Sequence, residues 1–362
     1  MHFVFLENSG DFTSSSLNLK AIDSFERALI HFCKELVKKN HRVTVFNSTS
    51  INKSEHGIDW VHFSEISNFS DDPDVFIICN DTDFLDITIN AKLKLFWINS
   101  KVNVFNYKNI LVSLLKNKFI LLYNSDDLVS SLPDNFNYIP KIKFQIGVNN
   151  SFFKNQSFNI NNCNALVTTH PLKGLDWLLD IWINIISLKI PWAEMHIYSN
   201  TLYKKSFVKN IKINNLKLKL FKYKNNGIHI KKPEKENEFI QTLSNYRVHI
   251  NPSNDISSLP FSVIESQARG LPVVSRENNV IFDYVYHNET GFITNDPNNF
   301  ANKIIDLLTN NSLFLRMKSN AKLNNKINDW KTEAEIFEKK PLEILKFLED
   351  SLKSFKKTIG NP

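Results

Sequence analysis

The stretch NPSNDISSLPFSVIESQARGLPVVS, residues 251–275, decides how the chain is read. The residues before it, Val248-His249-Ile250, read as the end of a strand, and Pro252 to Leu259 as a loop. A helix should follow. Ser258 suits its N-cap and Pro260 its first turn, where a missing N–H costs nothing. Gly270 stands where a helix ends, and Pro272 prevents continuation. On a 3.6-residue period Phe261, Ile264, Ala268 and Leu271 share one apolar side, and Ser258, Ser262, Glu265 and Arg269 form a polar stripe beside it. Glu265 therefore lies on a helix edge, and the helix starts at the carboxyl end of a strand, where open α/β sheets bind ligands. Free amides and a partial positive charge at such an N-terminus suit a phosphate. On pattern alone, Glu265 and Arg269 could equally form an i,i+4 surface ion pair worth about 0.3–0.5 kcal/mol.

Outward from this stretch, one pattern repeats. In the first half FVFL, VTVF, VFIIC, LFWI and FILLY are each followed by small polar residues, among them Glu7-Asn8-Ser9-Gly10, Asn80-Asp81, Asn99-Ser100 and Asn124. Unbroken β-branched and aromatic runs suit buried parallel strands. Phe25, Leu29, Phe32 and Leu36 mark a helix that Asp23 or Ser24 can cap. The second half alternates strands (NALVTT, MHIYS, YRVHIN, LPVVS) with helices (LKGLDWLLDIWINIISL, PEKENEFIQTLSNY, PFSVIESQARG). Two βαβ blocks predict an α/β chain of two Rossmann-like domains. Residues 1–150 form the first, 151–328 the second, and 329–362 a terminal helix, with the Asn-rich stretch 145–162 as the boundary.

Bulk properties narrow the class. The 362 residues are 42% hydrophobic and 22% charged, a globular composition long enough for two cores. No apolar run reaches the roughly 18 residues a membrane helix needs. The N-terminus lacks a basic segment and a long apolar core, and Cys33, Cys79 and Cys163 have neither metal nor disulfide spacing. The expectation is a cytoplasmic protein with reduced thiols. The net charge is +7, and residues 204–224 hold eight lysines and no acid. That stretch reads as a solvated basic face, or as a surface for a phosphate-bearing partner or anionic lipid. No nucleic-acid partner is expected.

At Pro252-Ser253, Phe261, Glu265, Ala268-x-Gly270-x-Pro272-Val273 and Thr290-Gly291-Phe292 the sequence resembles the GT-B glycosyltransferases of family 4, the glycogen-synthase-like retaining group. FERALIHFCKELVKKNHRVTVF (25–46), IGVNNSFF (146–153) and HPLKGLDWLLDIW (170–182) are similar to further segments of that family, in the same order. The resemblance implies two Rossmann-like domains facing a central cleft, with a last helix crossing back to the first domain. It implies retaining, metal-independent transfer from a UDP- or GDP-linked sugar in the second domain to a glycan or lipid-linked acceptor in the first. No cofactor is implied. Glu265 matches the family glutamate that contacts the nucleotide ribose. Lys173 matches the lysine of its diphosphate pair. Four positions depart: Ser257 replaces the first glutamate of the motif, with Asp255 nearby; Thr168 replaces the arginine of the pair; Asp23-Ser24 stands near a glycine pair; and Asn99 stands near a common histidine.

Such a reaction needs charge stabilisation on the leaving diphosphate. Lys173, directly before Gly174, fits this role, with His170 as a further donor. The expected catalytic residues are Lys173, Ser257 and Asn99. The expected donor-binding residues are Glu265, Lys173, Thr168, Thr169, His170, Ser258, Leu259, Pro260, Phe261 and Ser262. Asn8, Ser9, Gly10, Asn80, Asp81, Asn99, Ser100 and Asn124 are candidates for the acceptor side. Asp81-Thr82-Asp83 is a DxD triplet, too short a match to imply a metal by itself. The losses at Ser257 and Thr168 leave a second reading open, a GT-B protein that binds nucleotide-sugar or glycan with little or no turnover. A dehydrogenase is disfavoured, because no GxGxxG follows a strand.

Overall fold

A computed structural model describes residues 1–99, 107–154, 158–159, 161–204, 206, 208–254, 259–324 and 326–359. The five apolar runs of the first half form strands β1 (His2–Leu6), β2 (Arg42–Asn47), β5 (Val75–Cys79), β6 (Leu93–Ile98) and β7 (Phe119–Tyr123). They are buried on both faces, which is why they carry no polar alternation. A hairpin of β3 (Lys53–Glu55) and β4 (Ile58–His62) and the short β8 (Lys141–Lys143) complete the sheet. Its order is β3-β4-β2-β1-β5-β6-β7-β8, parallel except for the hairpin. The chain reverses direction across the sheet between β1 and β5, so a crevice opens beyond their carboxyl ends.

The second sheet contains β9 (Asn164–Val167), β10 (Glu194–Tyr198), β11 (Ile228–Lys231), β12 (Val248–Asn251), β13 (Val273–Ser275) and β14 (Gly291–Ile293). Its order is β11-β10-β9-β12-β13-β14, all parallel. Here the reversal falls between β9 and β12. The expected strands are all present. The sequence reading missed β3, β4, β8, β11 and β14, most of them three or four residues long.

The helix Ser24–Lys38 follows β1. Asp23 accepts from the Phe25 amide while Glu26 accepts from the Asp23 amide, a reciprocal cap. Its apolar face packs under the sheet, with Phe32 near Phe5, Trp97 and Phe144. The last helix, Trp330–Ile359, returns to the same place. Phe337 meets the rings of Phe32 and Phe144 at 5.0 Å each, and Trp330 meets Phe32 at 5.6 Å. This aromatic cluster fastens the end of the chain to the first sheet.

Candidate active site between the two sheets

The carboxyl ends of the two sheets face one another. Phe25 and Phe261 touch across the junction with ring centroids 5.9 Å apart, and the Leu259 amide approaches the Asn99 carbonyl at 3.4 Å. Between them lies a cavity of about 300 Å³. It is lined by Lys173, Thr168, Thr169, His170, Leu259, Pro260, Phe261 and Ser262 from the second sheet's side and by Asn99, Asp23 and Ser24 from the first. The fold thus brings nine of the expected site residues together. Ser257 and Ser258, with Asp255 and Ser100, lie outside the described residues.

Local geometry explains why these residues converge. Gly174 caps the helix that begins at Leu175 and has φ 84°. A Cβ there would sit 2.2 Å from the Pro252 carbonyl oxygen, so only glycine lets the β9 and β12 loops approach. Lys173 is held in a turn, its amide donating to the His170 carbonyl at 2.8 Å. It precedes the helix instead of lying in its first turn. Desolvation, then the Lys173 charge, hold His170 below the ordinary imidazole range. The helix runs on through a π-turn at Trp182–Ile186.

Opposite, the helix Phe261–Arg269 has Pro260 at its N-cap, two residues later than the Ser258 cap expected, and Gly270 closes it at φ 88°. Thr168, in the arginine position, hydrogen-bonds Ser262 Oγ at 2.7 Å and His249 Nε2 at 2.9 Å. His249 Nδ1 in turn meets Ser266 Oγ at 2.9 Å. Burial pushes His249 down to about 3, so it is neutral and acts as a fixed strut. Thr169 donates to Asn251 Oδ1 at 3.2 Å. These bonds tie the three loops that frame the cavity.

Glu265 is placed differently from the reading above. It does not pair with Arg269, which is buried and donates to the carbonyls of Ser151 and Lys154. Glu265 is covered by the first domain. There Arg27 Nη2 donates to Glu265 at 2.7 and 2.9 Å, and Nε at 3.3 Å. Arg27 also donates to the Ile22 carbonyl and Ser24 Oγ. Both side chains of the pair are 10% exposed. Burial disfavours charge on Arg27, but Glu265 outweighs it and holds the guanidinium above its ordinary value. Burial also raises the Glu265 carboxyl against the pull of Arg27. The guanidinium keeps its proton at neutral pH, so Arg27 remains a buried cation beside the carboxyl. Glu265 lies outside the cavity of Lys173, in a gap of about 10 Å³ behind Ser24, Arg27 and Phe261. Beside it His31 meets Glu236 at 2.8 Å, and Asn149 donates to the same carboxylate at 2.9 Å. These two groups latch the domains together.

Two further cavities adjoin the first. One of about 450 Å³ shares Asp23, Ser24, Thr168 and Ser262 with it and extends to Arg27, Tyr198 and Glu234. The other, about 580 Å³, belongs to the first sheet and is lined by Glu7, Asn8, Ser9, Asn80, Asp81, Asp83 and Asn99. Asn124 lines none of the three and instead bonds Trp97 and the Phe144 carbonyl inside the core. Glu7, noted after its strand, was not among the acceptor-side candidates. It is 3% exposed, and burial lifts its carboxyl to about 7 against hydrogen bonds from Ser9. Its position directly after an apolar strand was the available signal. Asp81 accepts from the Asp83 amide and caps a short turn.

Two parallel sheets of Rossmann type, with a polar cleft at their facing carboxyl ends and a terminal helix returning to the first, define a GT-B architecture. Residues 163–310 match the family model described as glycosyl transferases group 1. Solved structures share the whole fold. The Anabaena protein HepE in complex with UDP-glucose superposes with a TM-score of 0.72 at 14% identity, covering 96% of this chain and 99% of HepE. Sucrose-phosphate synthase from Thermosynechococcus elongatus gives 0.72 at 10%, covering 95% and 98%. TarM of S. aureus gives 0.59 at 16%, covering 75% of this chain, which spans only 54% of TarM. No curated protein sequence matches the chain significantly. Among the described residues, no helix is long and apolar enough to cross a membrane.

Proposed function

We propose that the chain is a retaining glycosyltransferase that moves a sugar, a hexose or a related one, from a nucleoside-diphosphate sugar to a glycan or lipid-linked acceptor. The observation that carries this reading is the convergence of Lys173, His170, Thr168 and Ser262 on one polar cavity that Asn99 closes from the other domain. In this reading the diphosphate lies against Lys173 and the loop before Gly174. Charge growing on the departing phosphate is met by the Lys173 ammonium and by the helix start that Gly174 opens. The nucleoside extends into the adjoining cavity of Arg27, Tyr198 and Glu234, and the acceptor enters past Glu7, Asn80 and Asn99. Protein groups alone supply the charge stabilisation in this scheme, so transfer is metal-independent.

Glu265 is a ribose ligand in this reading only when Arg27 yields its place, and the adjoining cavity shows Arg27 at the boundary. The Arg27–Glu265 pair also favours a second reading, in which the domains are latched and nucleotide binds without turnover. The site is a cytoplasmic one in either case. Attachment to an anionic membrane surface fits the helix Ile211–Lys222, where Ile211, Leu218 and Phe221 are exposed beside Lys212 and Lys222.

The deciding experiment incubates the protein with UDP- and GDP-sugars, with and without glycan or lipid acceptors and with a chelator. Nucleoside diphosphate release with anomeric retention, lost in Lys173→Ala, supports transfer. Binding without release across the panel supports the second reading, and release abolished by chelator ends the metal-independent scheme.

A further inference from the structure

Away from the cleft, the edge of the second sheet carries three side chains that the scheme above does not use. β10 and β11 are parallel, and their register sets His196 directly beside His229. Glu194 precedes His196 by two residues, so the strand's alternation puts it on the same face. The imidazole rings are 5.3 Å apart and nearly perpendicular. Glu194 reaches both, with Oε2 at 2.9 Å from His196 Nε2 and Oε1 at 3.8 Å from His229 Nε2. One ligand atom of each residue lies within 4.8 Å of the others, and among the described residues this is the one such group of three.

We propose that Glu194, His196 and His229 form a binding site for a divalent transition-metal ion of the zinc class. The ligand set, two imidazoles and one carboxylate, is of the kind that holds zinc with a water in the fourth position. A tetrahedral ion about 2.1 Å from each ligand would separate the ligand atoms by about 3.4 Å. The carboxylate spans the two imidazoles with different oxygens, Oε2 at 2.9 Å and Oε1 at 3.8 Å, and one ligand atom from each residue lies within 4.8 Å of the others, so side-chain rotation brings the three to that spacing. Glu194 and His229 are 47% and 44% exposed, which gives an ion access, whereas His196 is 12% exposed and fixed.

The fixing is what a metal ligand requires. His196 Nδ1 lies 2.9 Å from the Tyr246 hydroxyl, which is 3.0 Å from the Tyr198 hydroxyl, and Tyr198 donates to Glu234 at 3.4 Å. An ion on Nε2 puts the ring proton on Nδ1. The chain then runs in one direction, each group donating to the next: His196 to Tyr246, Tyr246 to Tyr198, Tyr198 to Glu234. A hydrogen-bond acceptor on the ring nitrogen that faces away from the ion sets the ligating tautomer. Tyr198 and Glu234 line the adjoining cavity of about 450 Å³, so the ion's occupancy is written into the proton order of that wall.

The test is calorimetric titration of the full-length protein with zinc chloride, followed by cobalt(II) substitution read by visible absorption. The expected result is one zinc per chain and a cobalt spectrum of four-coordinate intensity. His229→Ala and Glu194→Gln, both at exposed positions, should each weaken binding at least tenfold. Tyr246→Phe keeps all three ligands and should still weaken it by about 10–100-fold. Absence of binding at micromolar zinc overturns the proposal. So does binding that survives His229→Ala and Glu194→Gln unchanged, since that places the ion elsewhere.

Discussion

Glu265→Ala removes one carboxylate and leaves the Arg27 guanidinium between two domains without its counter-charge. The three contacts at 2.7, 2.9 and 3.3 Å are lost together. Breaking a buried pair in this way costs about 3–5 kcal/mol, because the remaining ion stays desolvated. Arg27 keeps two acceptors, the Ile22 carbonyl at 3.1 Å and Ser24 Oγ at 3.0 Å, which places the effect toward the lower end. About 3 kcal/mol is roughly a hundredfold in an equilibrium constant. The pair joins helices from opposite domains, so part of this cost can be relieved by opening the cleft and letting water reach Arg27. Two assays separate the routes. Urea unfolding reads loss of global stability, and small-angle scattering reads an increased radius of gyration. The double variant Arg27→Met, Glu265→Leu removes both charges and should recover most of the loss, since apolar replacement of a buried pair is often neutral. Unfolding and scattering curves both unchanged in Glu265→Ala would refute this role of the pair. A double variant as damaged as the two single losses added together would refute it too.

Other outcomes follow from the same geometry. Glu7 holds a proton to about pH 7 when folded and releases it near 4.5 when unfolded, so stability falls as pH rises between those values, by about 3 kcal/mol. Glu7→Gln should flatten that slope, and parallel denaturation profiles for parent and variant across the interval would count against the buried acid. Gly174→Ala sets a Cβ against the Pro252 oxygen at a left-handed φ; it should cost about 1–3 kcal/mol by thermal unfolding and weaken nucleoside-diphosphate binding with it. Sedimentation with anionic vesicles should carry the protein down at low salt, and Leu218→Ser with Phe221→Ser should reduce this; equal sedimentation with neutral vesicles argues against charge as the attraction.

Much of the architecture is determined by short-range sequence. Short unbroken apolar runs rich in β-branched and aromatic residues, such as VFIIC, suit strands covered on both faces, and the Asp23–Glu26 cap and the Gly270–Pro272 stop mark helix ends from neighbouring residues alone. The polar residues after each strand located the cleft, because α/β topology puts all carboxyl ends on one side. Short strands such as β11 (IHIK) and β14 (GFI) were not legible; four and three residues are too few to establish a period. The partner of Glu265 was hidden for a different reason. Arg27 lies 238 residues away, and helical spacing pointed to Arg269 instead. Which cation Glu265 meets depends on how the two sheets dock, and the desolvation of Glu7 depends on how the loops of the first sheet pack around it. Local sequence sets each helix face, but only the docking of the domains decides what that face is buried against.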